Sequence, residues 1–250
     1  MRGNVEPEEY RTNFLLEDSY WWFVGRRRIV ERALRSWAGE SVSGRILDAG
    51  CGTGRMLEFL GQLGESSGVE LHGEGLRYCR ERKLPRLVQG SIARLPFRSG
   101  AFSLVSCFDV LYHREVDERK ALDEVYRVSA PGGYLIITDA AYPFLQSEHD
   151  ESVHGARRYT KRSLRTTVER AGFRIVKISY WNFFLFPAVV CIRFLKNLLP
   201  RRRKRPVSDL KPLPGPINAL LTGIVFVEAF AMRIASLPFG TSIVLLARKP

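Results

Sequence analysis

From residue 44 onward, short apolar runs alternate with stretches in which apolar residues recur every third or fourth position. The first run, GRILDAG (residues 44–50), predicts a strand that ends in glycine. In RMLEFLGQL, which follows, Met56, Leu60 and Leu63 share one helix face. SSGVEL (66–71) predicts a second strand, GLRYCRERK (75–83) a helix and RLVQG (86–90) a third strand. AFSLVSCFDV (101–110) is apolar at successive positions, as a strand covered on both faces should be. DERKALDEVYRVSAPGG (117–133) predicts a helix stopped by proline and glycine, and YLIITDA (134–140) a fifth strand. Leu164, Val168 and Ala171 mark one more helix face before strands at RIVKISYW (174–181) and TSIVLLARK (241–249).

Strands alternating with helices through short connections predict an α/β fold with a doubly wound sheet. Its ligands belong at the carboxyl ends of the strands. Four segments follow: an N-terminal helical lid (1–42), a core (43–181), an apolar and basic helical insertion (182–240) and the last core strand (241–250). The 45% hydrophobic and 26% charged content are those of a globular chain, so a packed core is expected. No apolar h-region of a secretory signal is visible near the N-terminus, and the four cysteines form no C-x-x-C pair. Both features suit a cytoplasmic protein with buried thiols and no metal centre. The net charge of +13 favours anionic partners without choosing among nucleic acid, lipid and small molecules.

The chemistry concentrates in RILDAGCGTGRM (45–56). A dinucleotide loop reads G-x-G-x-x-G/A, with a small third residue for close helix packing. Here Gly50 and Gly52 fit, but Arg55 stands third, and Asp48 would repel a pyrophosphate while attracting an ammonium group. Glu70, at the end of the second strand, suits a ribose diol, because a carboxylate accepts two hydroxyl hydrogen bonds. A ligand with a cationic amino-acid end and a ribose is S-adenosyl-L-methionine.

ILDAGCGTG, GVEL, LVQGSIARLPFRSGAFSLV and FDVLYHREVDERKALDEVYRVSAPGGYLIIT together resemble class I S-adenosylmethionine-dependent methyltransferases. The branch they look like is the type 11, small-molecule and quinone-methyltransferase one. The resemblance is strong over residues 43–139 and weaker in HGARRYTKRSLRTTVERAGF (154–173). It implies a Rossmann-like, seven-stranded sheet with an antiparallel last strand. It also implies that the loop at Gly50, Cys51 and Gly52 holds the methionine part, that Glu70 holds the ribose, and that Ser91, Ile92 and Phe108 lie by the donor. Ser91 departs from the family pattern, in which an acid accepts a hydrogen bond from the adenine amino group.

Methyl transfer from a sulfonium needs alignment and exclusion of water, and a base only when the acceptor must lose a proton. His113, past the fourth strand, and His149, His154 and Tyr159, past the fifth, are the candidates. Arg157 and Arg158 are candidates for meeting an anionic acceptor. Trp21, Trp22 and Phe23 fit either a flap over the donor or an anchor for the N-terminal helix.

The insertion holds two apolar segments separated by RRRKR (201–205). Charges at Arg193, Lys196, Glu228 and Arg233 interrupt both, so a spanning hairpin is not expected. Two readings stay open: helices lying on an anionic membrane surface, at its inner face, or helices that cap the acceptor site or form a homodimer interface. The expected partner is a small-molecule or lipid-like acceptor. DNA is not expected, and RNA is a weaker alternative because no N/D-P-P-Y/F turn follows the fourth strand. A catalytically silent scaffold with a methyltransferase fold is the other rival.

Overall fold

The structure is a computed structural model that describes residues 7–38, 42–147, 150, 154–198 and 210–250. Two N-terminal helices, α1 (Pro7–Leu16) and α2 (Trp21–Trp37), precede the sheet. The alternating unit then runs β1 (Arg45–Ala49), α3 (Arg55–Leu60), β2 (Glu65–Glu70), α4 (Gly73–Glu81), β3 (Leu87–Gln89), β4 (Phe102–Phe108), α5 (Glu118–Val128) and β5 (Ser129–Ala140). After α6 (Lys161–Arg170) and β6 (Arg174–Trp181) come the insertion helices α7 (Phe186–Leu198) and α8 (Gly215–Ala231), and then β7 (Ser242–Arg248). The seven strands order as β3-β2-β1-β4-β5-β7-β6. β7 runs antiparallel to both its neighbours, as expected. The winding reverses between β1 and β4, and a doubly wound sheet opens its ligand crevice at such a point.

Successive strand residues point to opposite faces, and both faces are covered. Leu47, Val105, Leu135 and Leu245 pack under α5 and α6 in one apolar cluster. Ile46, Leu104, Ile136 and Leu246 pack in another, against Ile29, Val30 and Ala33 of α2 and Val225 and Ala229 of α8. The expected N-terminal lid is therefore a lid only in part. Most of α2 is a core layer, and only its first turns reach the cavity described below.

One boundary differs from the sequence pattern. α5 ends at Val128, and Ser129 already pairs with Phe102 as the start of β5. A hydrogen bond from Ser129 Oγ to the Val125 carbonyl (2.7 Å) closes the helix before the proline and glycines are reached. α6 begins with a reciprocal cap, Thr160 and Ser163 each bonding the other's backbone N–H.

α8 is docked rather than loose. Val225, Glu228, Ala229 and Met232 form its buried face. The Glu228 carboxylate accepts from the N–H groups of Asn182 (2.7 Å) and Phe184 (2.9 Å), and burial pushes its pKa above the ordinary value. Glu228→Ala should leave two inward N–H groups without their acceptor and cost about 2 kcal/mol, readable as a lowered denaturation midpoint. No helix among the described residues is long and apolar enough to cross a membrane. His149 and Arg201–Arg205 lie outside the described residues.

Candidate active site

A cavity of about 580 Å³ opens at the carboxyl ends of β1, β2 and β4, under the first turns of α1 and α2. Asp48, Gly50, Cys51, Gly52, Glu70, Ser91, Ile92, Phe108, His113 and His154 all line it. Tyr159 is the exception. It is buried in the core, its hydroxyl donating to Glu118 with the Leu111 carbonyl as the alternative acceptor (3.3 Å). Burial, with Asp139 and Glu118 nearby, raises its pKa, the opposite of what a base requires.

The glycine loop divides its tasks. Gly50, Gly52 and Gly54 all have positive φ (90°, 55° and 92°). A Cβ on Gly50 would sit 2.5 Å from Val110, and one on Gly54 2.5 Å from Leu84 and 2.9 Å from the Cys79 sulfur. Those two glycines serve packing. A Cβ on Gly52 would meet nothing within 4 Å, so this residue faces open cavity. Gly54 is the close-packing glycine that the dinucleotide pattern sought at position 55. The shorter G-x-G-x-G spacing supplies it.

The loop's N–H groups are largely engaged. Those of Gly50 and Cys51 both donate to the Val69 carbonyl (2.8 and 3.0 Å), and that of Gly52 donates to Glu70 Oε2 (2.9 Å). A pyrophosphate needs donors and would find these taken. An ammonium group needs acceptors. Asp48 stands at the base of the loop and accepts from Ser106 Oγ (2.7 Å), and burial raises its pKa to about 6. Cys51 and Cys79, far apart in sequence, are free thiols whose sulfurs share a hydrogen bond at 3.9 Å.

Glu70 is held from three sides. Besides Gly52, the N–H of His72 (3.0 Å) and the hydroxyl of Tyr10 (3.1 Å) donate to its Oε1. Two donors saturate that oxygen, so a ribose diol needs the Tyr10 position on it. Tyr10 comes from α1, and Glu17, just past the end of that helix, clasps the loop region by accepting from Thr53 Oγ1 (2.7 Å) and pairing with Arg82 (2.8 Å). Tyr10→Phe should therefore tighten donor binding about fivefold, the worth of one competing hydrogen bond, as read by calorimetry. Ser91 Oγ accepts from the Ala93 N–H (3.2 Å), which turns the chain around the cavity edge.

The far side of the cavity is built from elements distant in sequence. His113 and Gly155 form an antiparallel bridge, and the Arg114 N–H donates to the His154 carbonyl (2.9 Å), which brings the two candidate histidines to one rim. Arg158 also lines the cavity and pairs with buried Asp150 (2.7 Å). Arg157 does not line it and leans toward Glu118 (3.9 Å). Trp21, Trp22 and Phe23 line the roof, beside Arg26.

Sequence reasoning missed Asp109. It adopts φ 54°, accepts from Arg26 Nη1 at 2.5 Å, and its pKa is raised by burial against the opposing pull of Arg26. A non-glycine residue in the left-handed region beside a cavity is a frequent mark of function. The strand pattern of FDV gave no sign of it. Arg26 in turn lies over the Trp22 ring (5.0 Å), which ties the roof to the end of β4. Among the described residues no group of three or more His, Cys, Asp or Glu side chains is placed to hold a metal.

Residues 47–137 match the family model of a methyltransferase domain. The chain is 33% identical over 104 residues to the malonyl-[acyl-carrier protein] O-methyltransferase of Pectobacterium atrosepticum, covering 39% of each protein. It is 34% identical over 128 residues to the demethylmenaquinone methyltransferase of Thermus thermophilus, covering 47% of this chain and 54% of that one. Thus the chain spans about half or less of the length of these relatives. Among solved structures, a SAM dependent methyltransferase from Archaeoglobus fulgidus superposes with a TM-score of 0.58 at 19% identity, over 94% of this chain and 99% of that one. Residues 47–137 thus match a methyltransferase domain, and the chain has the fold of S-adenosylmethionine-dependent methyltransferases of known structure.

Proposed function

We propose that the protein transfers a methyl group from S-adenosyl-L-methionine to a small-molecule or lipid-like acceptor. The observation that carries this reading is the pairing of Gly52, which faces open cavity, with Glu70 eighteen residues on, bonded to the Gly52 N–H. That pair leaves room for a nucleoside and supplies an acceptor for its diol. When bound, the sulfonium supplies the electrophilic methyl group. Asp48 offers the amino-acid end a counter-charge, Glu70 orients the ribose, and Ile92 and Phe108 give the purine apolar walls. Trp21, Trp22 and Phe23 would exclude water from the reacting centre. His113 and His154 stand where they could take a proton from a hydroxyl or an acidic carbon of the acceptor. The Thermus thermophilus relative is named for demethylmenaquinone, and that name supports an acceptor with an apolar portion.

Calorimetry with S-adenosylmethionine is the direct test. The parent chain should release heat of binding, whereas Gly52→Val should lose it. The added side chain enters space that no protein atom occupies, but the φ of 55° strains a β-branched residue. The variant should therefore melt below the parent, and circular dichroism at the calorimetry temperature should show it folded. A parent that gives no heat would leave a silent scaffold as the better description.

A further inference from the structure

The insertion helices carry an apolar surface that the fold does not cover. Leu220, Val227 and Phe230 on α8, and Ile234 in the turn just past its end, follow one another at helical spacing, 57–83% exposed, on the side away from the buried Glu228 face. On α7, Cys191, Phe194 and Leu195 are exposed likewise. The same helix turns Val189, Ile192 and Arg193 into the cavity, and Leu210, ahead of α8, lines it too. One helix is thus both a wall of the cavity and part of the uncovered surface.

Charge says what fits there. Residues 182–240 hold nine lysines and arginines and two acids. Glu228 is one of those acids, and it is turned inward on backbone N–H groups. The five consecutive basic residues 201–205 lie in sequence between the two helices. Apolar helix faces on a segment whose sequence carries that excess of positive charge match an anionic bilayer, in which acyl chains take the apolar side chains and headgroups take the cations. A second copy of this chain would set like charge against like charge.

We propose that α7 and α8 dock the protein on the surface of an anionic lipid bilayer, without crossing it. A lipid-like acceptor then enters the cavity from that bilayer along α7, past Val189 and Ile192. This second part rests on the acceptor class proposed above.

The test uses the full chain. With vesicles of phosphatidylcholine containing phosphatidylglycerol the parent should float, and with phosphatidylcholine alone it should not. Phe230→Glu combined with Ile234→Glu should lower partition about tenfold or more, since charge is placed on the inserting stripe. Because neither residue lines the cavity, the double variant should keep its heat of S-adenosylmethionine binding. Cys191 is the exposed cysteine among the described residues, and an environment-sensitive fluorophore attached there should brighten and shift to the blue on anionic vesicles. Failure of the parent to float, an unmoved fluorophore, or equal partition of the double variant would overturn the docking surface. So would a dimer in light scattering that the double variant converts to monomer.

For the acceptor route, labelled S-adenosylmethionine is supplied with a total lipid extract of the source cells, as vesicles or dispersed in detergent. The double variant should lose transfer from vesicles and keep it from detergent. Equal transfer from both forms overturns entry from the bilayer. If the parent labels no lipid in either form, the acceptor class fails, while flotation still decides the docking surface.

Discussion

Replacing Glu70 by alanine is expected to weaken S-adenosylmethionine binding by about a hundredfold or more, each hydrogen bond to a charged acceptor contributing about 1.5–3 kcal/mol. A ribose diol offers two such bonds. The substitution also takes the acceptor from the Gly52 and His72 N–H groups, so the loop loses its tether to β2 at the same time. Glu70→Gln separates the two effects. Its carbonyl oxygen still accepts, but its amide faces donors and cannot, so binding should fall between parent and alanine variant. Calorimetry gives the dissociation constants, and circular dichroism confirms that the fold persists. An alanine variant binding as tightly as the parent would remove Glu70 from the donor site.

Asp48→Asn should move stability and binding in opposite directions. Burial lifts the Asp48 pKa from 3.8 to about 6, against the opposing effects of the Ser106 bond and Arg26. Between those two pH values the folded chain holds a proton that the unfolded chain has released. Stability therefore falls as pH rises through this window, and the charged carboxylate costs the fold up to about 3 kcal/mol at neutral pH. Asparagine removes that cost and can still accept from Ser106. The variant should melt at a higher temperature than the parent at pH 7.5, and the gap should close below pH 4. Donor binding should weaken about tenfold, because the ammonium group loses its counter-charge. Thermal melts at both pH values, with calorimetry at pH 7.5, check all three. A variant that is less stable at pH 7.5 and binds the donor unchanged would contradict both halves.

The same linkage gives the parent a signature. A cation arriving beside Asp48 favours its ionised form, so binding near pH 6 should release a proton. The apparent heat should then vary with the ionisation heat of the buffer.

Much of this protein was legible in one dimension. The strand at residues 174–181, the glycine turn after β1 and the acid closing β2 could be read because each follows from local rules. Strand burial sets the apolar run, a tight turn demands glycine, and the strand end places the acid at the crevice. Even the insertion declared its two apolar helices. The likeness to methyltransferases rested on residues 43–139 for the same reason. This part of the chain forms the floor of the cavity at the strand ends, from contiguous strand–loop–helix units.

What needed the tertiary structure was every meeting of distant segments. Tyr10 reaches Glu70 across sixty residues, Arg26 reaches Asp109, and the loops of His113 and His154 are joined by a bridge. No periodicity announces such pairs, because packing of the N-terminal helices and the late loops onto the strand ends decides them. Tyr159 shows the reverse. In sequence it sits among polar and cationic neighbours, yet the register of Ala141 with Tyr159 turns its ring into the core. Sequence alone thus determined the sheet, its glycine turn and the acids around it, which are local consequences of burial and backbone conformation. The roof, the acceptor side and the split of α7 between cavity wall and open surface came only from the folded chain, since they depend on which faces remain once the core is filled.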